Sequence, residues 1–334
     1  MPKLLVVFGS TGQQGGALID HVLSTPSLSS EFTIRGTTRD ASKATARALK
    51  DKGVEIVEAD LNDGKTLAKA VAGAHTVFGM TNCEWSLIRA PLNRYRDYIL
   101  TAYLAHTVWD EGSVEVEINQ GKAIADASVA AGVTQLIWSS LPNVTRMSDG
   151  EHGLAHFDSK AAVEEYIRCL DIRSTFFMPA WFMQNHLSIM PLVKSNDGSY
   201  AFQQPWPPET RIPLIDIRDT GKFLAPVLAN PNKYHGKCLT CATAFHTPIE
   251  MAETWSKVLG KTVKLQQTTE ADSYAVPFTE EQRKVIKDAS TLMTKYEYFG
   301  PTGNADLDWT LEQLTDKPKT WEEFVCDYKS SFLQ

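Results

Sequence analysis

Two residues that can carry a proton lie four positions apart in the stretch His156-Phe-Asp-Ser-Lys160. On a helix, a spacing of four puts both side chains on one face. An unperturbed histidine has a pKa near 6.5, and a lysine amine shifts readily when it is desolvated. Either residue is therefore a candidate proton donor, and Ser139 and Ser140, which end a predicted strand, are candidates for binding a substrate oxygen. The alternatives are that Lys160 only binds a ligand hydroxyl and that His156 is structural.

A glycine-rich turn lies near the start of the chain, between a predicted strand and a predicted helix that runs roughly from Gly12 to Leu23. Gly9, Gly12 and Gly15 are spaced as GxxGxxG, a departure from the GxGxxG of many dinucleotide-binding turns. We expect Gly9 to allow a tight exit from the strand, Gly12 to let the backbone approach a pyrophosphate, and Gly15 to let the helix pack closely. The N–H groups of residues 10–14 and the helix dipole would then bind phosphate. The plainer interpretation is an ordinary strand–turn–helix.

The residues at the end of the second predicted strand indicate whether NAD or NADP binds. NAD-binding proteins usually place an acidic residue there to bind the ribose 2′-hydroxyl, whereas this chain has Thr38, Arg39 and Lys43. A hydroxyl and two cations suit a 2′-phosphate, so the sequence favours NADP over NAD. Asp40 follows the arginine, and we expect it to cap the next helix. Asp60, which ends the third predicted strand, either reaches the adenine or only turns the chain.

Predicted strands and helices alternate with short links through the first half of the chain. This order predicts an α/β fold with a doubly wound parallel sheet of the Rossmann type. After about Pro179 the pattern loosens and proline becomes frequent, which indicates a smaller C-terminal lobe that is partly interleaved with the first. The predicted domains are residues 1–180, which bind the nucleotide, and residues 181–334, which bind a substrate or partner. Clefts between such lobes are the usual ligand sites.

An insert at residues 83–112 interrupts this alternation, where a link of only a few residues is expected. It is rich in aromatic residues and contains three arginines. Three interpretations stay open: a lid or oligomer contact near the cleft, a surface helical insert without chemistry, and a gene-model error such as a retained intron.

The composition excludes several classes of protein. The 334 residues are 43% hydrophobic and 22% charged, which is typical of a soluble globular chain. A net charge of −7 argues against binding to a nucleic-acid backbone. No apolar run approaches the roughly 18 residues of a membrane span. We therefore expect a cytoplasmic protein, with the nucleus as an alternative, that binds neither nucleic acid nor membrane. The oligomeric state stays open.

The cysteines predict free thiols. There are five of them, an odd number without a framework spacing, which suits a reducing compartment. Cys238 and Cys241 form a CxxC within a predicted strand, where residues three apart point to opposite faces. A metal or redox pair needs both sulfurs on one side, so we expect no metal site here.

Several sequence blocks together resemble the NmrA-like family of atypical short-chain dehydrogenases, closest to its HSCARG-like branch and fungal relatives. The resemblance covers nearly the whole chain apart from the insert. Its most specific block is HFDSK followed by VEEY. The matching blocks are VFGSTGQQGGAL, GMTN, QGKAIADASVAAGV, LAHFDSKAAVEEYIR, FFMPAWFMQNHL and IPLIDIRDTGKFLAPVL.

The resemblance implies an NADP-binding domain and the contacts that hold the cofactor. The phosphate turn would cradle the pyrophosphate, the cations after the second strand would meet the 2′-phosphate, and residues 181–185 would approach the nicotinamide. Together with Ser10, whose N–H lies in the turn, the implied cofactor-binding residues are Gly9, Thr11, Gly12, Gln13, Gln14, Arg39, Lys43, Asp60, Leu61, Thr81, Asn82, Lys160, Trp181, Phe182 and Asn185.

The resemblance leaves two functions open. Short-chain dehydrogenases typically use Tyr-x-x-x-Lys, and here a histidine stands in place of the tyrosine. The first function is an NADPH-dependent oxidoreductase acting on a small organic substrate, such as a secondary metabolite, with Lys160, His156 and Ser139 as catalytic residues. The second is a non-catalytic NADP(H)-sensing regulator that binds protein partners. A structural protein with a vestigial site is disfavoured because the phosphate turn is complete.

Overall fold

The computed structural model describes residues 2–81, 111–188, 190–268 and 280–333, without the side chains of residues 111–113 and 280–286. Asn82 and residues 83–110 of the predicted insert lie outside the described residues. Helices and strands are numbered below over the described part of the chain.

A seven-stranded parallel sheet forms the centre of the protein. Its strands are β1 (Lys3–Val7), β2 (Phe32–Thr38), β3 (Glu55–Glu58), β4 (Thr76–Gly79), β5 (Gln135–Ser139), β6 (Arg173–Pro179) and β11 (Cys238–Cys241). They lie in the order β11-β6-β5-β4-β1-β2-β3. The chain runs outward in opposite directions from β1 and β4, and such a switch point opens a crevice at the carboxyl ends of the strands. The predicted doubly wound α/β fold is confirmed.

Helices cover both faces of this sheet, because its strands are apolar on both sides. Leu5 and Val7 belong to one core, with side chains of the helices α1 (Gln13–Ser24) and α9 (Thr220–Ala229). Val6 and Phe8 belong to the core on the opposite face. That second core is closed by the helices α4 (Gly64–Val71), α5 (Glu111–Ala130) and α7 (Ala155–Arg168).

Residues beyond β6 build two small sheets and a third core. One sheet contains β7 (Trp181–Phe182), β10 (Ile212–Ile215) and β12 (Ala244–His246), and the other contains β8 (Val193–Lys194), β9 (Tyr200–Gln204) and β13 (Val263–Gln267). The third core is rich in aromatic residues, and it also receives Val144, Leu154 and Phe157 from the earlier part of the chain. Conversely, β11 and α9 come from the later part and complete the large sheet. The large sheet and the third core therefore each contain residues from both the earlier and the later part of the chain.

The remaining helices are short connectors, pack against the third core or, for the helix Gly303–Glu312, contribute to the core that contains Leu5. They are α2 (Pro26–Glu31), α3 (Ala44–Asp51), α6 (Val144–Met147), α8 (Asn185–Ser188), α10 (Pro248–Leu259), α11 (Glu280–Lys295), α12 (Gly303–Glu312), α13 (Trp321–Asp327) and α14 (Lys329–Phe332), together with a 3₁₀ turn at Ile217–Asp219. Within the described ranges, none of these helices combines the length and the apolarity that crossing a bilayer requires.

The two cysteines of the CxxC lie on opposite faces of the edge strand β11, as the alternation predicts. Cys238 packs against the core that contains Val6, and Cys241 is buried in the core that contains Leu5. Both thiols are free. Burial, aided by the nearby Glu164 carboxylate, raises the pKa of Cys238 to about 12, so its thiol stays protonated and unreactive at neutral pH.

Candidate functional site

The glycine turn has the conformation that its sequence demands. Gly9 has a φ of +66°, and a Cβ there would lie 2.5 Å from Met80 Sδ. A Cβ on Gly15 would lie 2.4 Å from the carbonyl oxygen of Gly9, so only glycine lets α1 start this close to the turn. Gly12 is the N-cap of α1 and offers no capping side chain. The first amides of the helix are thus left to water or to an anion.

Two polar side chains of the turn bind protein atoms. Ser10 Oγ donates to the carbonyl oxygen of Thr37 at 2.8 Å, so only the N–H of Ser10 remains for a phosphate. Gln14 Oε1 accepts a hydrogen bond from Ser139 Oγ at 2.7 Å. The hydroxyl that the sequence offers as a substrate ligand therefore donates to the phosphate turn and can meet a substrate only as an acceptor.

Arg39 and Lys43 are exposed at the carboxyl end of β2. The expected capping role of Asp40 is wrong, because the N-cap of α3 is Lys43 and makes no side-chain cap. Asp40 instead accepts hydrogen bonds from the N–H and the hydroxyl of Ser42, at 2.8 and 2.6 Å, and these bonds lower its pKa. An Asx turn closes two residues on, which is too early to reach the amides of a helix that begins at Ala44.

Asp60 turns the chain after β3. Its carboxylate accepts hydrogen bonds from the N–H and side-chain amide of Asn62, at 2.9 and 3.1 Å, and the following helix is capped by Asp63 instead. Asp60 is exposed and Leu61 is half-buried against the core that contains Val6. Asp60 therefore does turn the chain. A contact with adenine would use the carboxylate lone pairs that the bonds from Asn62 leave free.

A buried carboxylate that the sequence analysis did not predict lies beside Lys160 at the crevice. Glu117 is 2% exposed, and it ion-pairs with Lys160 Nζ at 2.5 Å. Thr81 Oγ1, just beyond β4, donates to the same carboxylate oxygen at 2.8 Å, and Ser159 Oγ donates to the other oxygen. A buried charge is tolerated when it is paired and fully hydrogen-bonded, as it is here.

The helices that carry this pair are drawn together by a glycine. A Cβ on Gly121 of α5 would lie 2.6 Å from Val163 of α7, so the two helices approach closely at this point. Glu117 is one turn earlier on the same face of α5, which aims its side chain at α7. Trp138 Nε1 on β5 donates to the carbonyl oxygen of Lys160 at 3.1 Å and ties that helix to the sheet.

The other predicted residues have separate environments. His156 lies in the first turn of α7, one turn before Lys160, with its ring edge-on to Phe157 at a centroid distance of 4.8 Å. Ser140 Oγ donates to Glu164 Oε2 at 2.6 Å, which turns this hydroxyl toward α7. Lys160 and Thr81 therefore bind the same carboxylate at the crevice, whereas His156 only shares a helix with Lys160.

The segment from Trp181 to Asn185 joins the crevice to the smaller lobe. Trp181 and Phe182 pair with Leu214 and Ile215, and the Trp181 ring packs edge-on against Trp206 at 5.4 Å. Asn185 begins α8. A cavity of about 810 Å³ extends along α1 from Gly12 to Ser24, and it is also lined by Gln184, Arg218 and Tyr328.

The sequence profile of the NmrA-like family matches residues 1–325. The protein belongs to the NmrA-like family. The resemblance inferred from the sequence blocks is confirmed.

Relatives of this NmrA-like chain include fungal oxidoreductases. It is 26% identical over 335 residues to the NmrA-like family domain-containing oxidoreductase FrzB of a Cladobotryum species, a match that covers 94% of this chain and 92% of FrzB. It is 27% identical over 330 residues to the corresponding oxidoreductase lnaB of Aspergillus flavus, with 94% and 91% covered.

Solved structures share the NmrA-like fold. NmrA, described as a negative transcriptional regulator and solved in complex with NADP, superposes with a TM-score of 0.75 at 19% identity, covering 98% of this chain and 96% of NmrA. An NADPH-dependent quinone oxidoreductase of Escherichia coli, complexed with NADPH, gives 0.66 at 20% identity, covering 97% and 99%.

Two polar pairs of this NmrA-like protein were not predicted from the sequence. For Glu117 the sequence contained a signal. A carboxylate one turn before Gly121, on the buried face of an amphipathic helix, requires a buried cation. His152 had none, because its partner Asp288 is 136 positions away. Their side chains meet at 2.6 Å and tie α11 to the loop before α7.

Proposed function

We propose that this NmrA-like protein is an NADP(H)-dependent oxidoreductase that acts on a small organic substrate. The observation that carries the proposal is the Lys160–Glu117 pair, which holds a cation at the strand ends beside Thr81. An amine fixed there can bind ribose hydroxyls and support proton transfer at the nicotinamide end of the crevice.

The residues around the glycine turn support the choice of cofactor. The amides at the start of α1 have no capping side chain from Gly12 and suit a pyrophosphate. Arg39 and Lys43 are exposed where a 2′-phosphate would lie, and Asp40 is turned toward Ser42. NmrA has been solved with NAD and with NADP, and the quinone oxidoreductase with NADPH. These features support a nicotinamide dinucleotide, and the two cations favour NADP.

The chain's own residues would position the reaction and handle the proton. The cofactor, when bound, supplies the hydride. Lys160 would bind the ribose, His156 would deliver a proton to a carbonyl or imine, and Ser139 would accept a hydrogen bond from the substrate. The fungal relatives are named oxidoreductases, which supports a small organic substrate such as a secondary metabolite. We place the protein in the cytoplasm, with the nucleus as the alternative.

Turnover by the purified protein tests the proposal. NADPH oxidation is followed by absorbance with a panel of ketones, imines, enones and quinones. We expect turnover with at least one class, and a loss of roughly a hundredfold or more in kcat in Lys160→Ala or His156→Ala, the usual size for a lost proton-transfer group. Lys257→Met, in the exposed pair with Glu322, is the matched control and should keep full activity. The absence of turnover with every class would overturn the proposed activity.

Cofactor binding is tested separately at the glycine turn. Gly15→Ala forces a Cβ into the Gly9 carbonyl oxygen, whereas a Cβ on Gly16 would lie an ordinary 3.5 Å from the Ser10 carbonyl oxygen. Gly15→Ala should therefore abolish NADPH binding in calorimetry, and Gly16→Ala should retain it. Equal affinities in the two variants would contradict the assignment of this turn.

A second function is favoured by the histidine at position 156. His156 stands where short-chain dehydrogenases carry tyrosine, and NmrA, which shares this fold, is described as a transcriptional regulator. A sensor would bind NADP(H) without turnover and would bind a protein partner differently in its two cofactor states. Tight NADPH binding, no turnover and a partner captured only with one redox state would favour it.

A further inference from the structure

Glu117 cancels the charge of Lys160 at the crevice. The two side chains are 2% and 15% exposed, so water screens their charges poorly. The carboxylate also receives hydrogen bonds from Thr81 and Ser159, which fix its position against both α7 and the end of β4. The pair therefore presents donors at the crevice without presenting a net charge.

This neutrality matters for a nicotinamide ligand because its two redox states differ in charge. The oxidised ring is a cation and the reduced ring is neutral, while the phosphates and the adenosine are the same in both. An uncompensated ammonium near the ring would weaken the binding of NADP+ more than that of NADPH. An uncompensated carboxylate would do the opposite.

We propose that Glu117 is a positioning residue that acts through Lys160: it fixes the ammonium at the strand ends and balances its charge, so that the site holds NADP+ and NADPH with comparable affinity. This inference rests on the proposed binding of NADP(H). An oxidoreductase gains from such balance, because it must bind one state and release the other.

The test is the ratio of the dissociation constants of NADP+ and NADPH, measured by calorimetry in four forms of the full chain. Glu117→Gln leaves an extra positive charge and should raise the NADP+/NADPH ratio about threefold to tenfold. Lys160→Met leaves an extra negative charge and should lower the ratio by a similar factor. The double variant should return to within about twofold of the wild type, since the two effects oppose each other.

Ser159→Ala is the control for a purely structural role. It removes a hydrogen bond to Glu117 without changing any charge, so the ratio should stay at the wild-type value. Thermal unfolding checks that each variant folds. If Glu117→Gln does not fold, the Lys160→Met ratio and its reversal in the double variant carry the test.

Shifts of the same sign in both single variants, or no shift in folded Glu117→Gln or in Lys160→Met, would overturn this inference alone. A wild-type protein that binds neither dinucleotide would overturn the proposed function and this inference with it. The two failures are therefore distinguishable in the first titration.

Discussion

The crevice of the large sheet and the core of the smaller lobe bury polar groups in opposite ways. At the crevice, Glu117 is 2% exposed and receives hydrogen bonds from three donors. In the smaller lobe, His186 is 1% exposed, and neither ring nitrogen has a hydrogen-bond partner of good geometry in the described part of the chain. Its ring lies edge-on to Phe202, Trp255 and Trp321.

The difference supports the crevice, rather than the aromatic core, as the candidate site for chemistry. A buried ion pair contributes little net stability, because the desolvation of both charges offsets their attraction, so its presence calls for a functional reason. A neutral imidazole among aromatic rings serves packing. Burial lowers the pKa of His186 to about 3, against an opposing effect of the Met190 backbone, and this ring stays uncharged at neutral pH.

The largest expected effect comes from the aromatic core. Trp255 lies with its ring centroid 4.8 Å from that of Trp321 and 4.9 Å from that of Phe202. Trp255→Ala should lower the free energy of unfolding by about 4 kcal/mol in chemical denaturation. NADPH affinity should change little below the new melting temperature. Ile249→Ala, at an exposed position of the same helix, should cost less than about 0.5 kcal/mol. A loss of cofactor affinity in folded Trp255→Ala would contradict the independence of the crevice from the aromatic core.

The next effect comes from opening the ion pair. Glu117→Leu leaves the Lys160 ammonium buried without its partner and should cost about 3 kcal/mol in the free energy of unfolding. Adding Lys160→Met should recover most of that loss, because two apolar side chains replace the pair. The exposed pair Lys257–Glu322 is the comparison, and Lys257→Met should cost less than about 0.5 kcal/mol. Equal costs at the two pairs would show that burial does not set their energetics.

The smallest effect is a pH dependence that belongs to His186. The unfolded chain protonates this histidine below about pH 6.5, whereas the folded chain resists protonation down to about pH 3. Its contribution to stability is therefore complete above pH 6.5 and is lost as the pH falls through that window. Between pH 6.5 and 5 the loss should approach about 2 kcal/mol.

His186→Phe isolates this contribution, because other histidines and the carboxylates titrate in both proteins. Denaturation of wild type and variant at each pH should give a stability difference that moves in favour of the variant as the pH falls. A difference that is constant with pH would mean that the imidazole takes up its proton as readily in the folded chain as in the unfolded chain.

Much of the fold was predictable because it depends on local patterns. The apolar run before Gly9 and the glycine spacing around it determine β1, the turn and the start of α1, and each recurs with its expected geometry. The alternation of strand and helix predicted the parallel sheet. What the pattern could not predict is which late segment joins the sheet edge, since β11 is only four residues long and resembles any short buried strand.

Candidate residue types for the site could be chosen from the sequence, but the contacts between them could not. Lys160 and Thr81 were singled out, but the carboxylate between them comes from a helix that follows a long insert. Ser139 was expected to face a substrate, yet its donor is used by Gln14, 125 residues away. Contacts at such separations depend on tertiary packing, which spacing along the chain does not encode.

The late strand β11 has a consequence for how the protein is made. On the ribosome, the first six strands of the large sheet emerge well before Cys238–Cys241. The backbone edge of β6 therefore stays unpaired while about sixty further residues are synthesised. A chain cut after β6 would expose that edge permanently, and we expect such a fragment to aggregate rather than to survive as an autonomous nucleotide-binding unit.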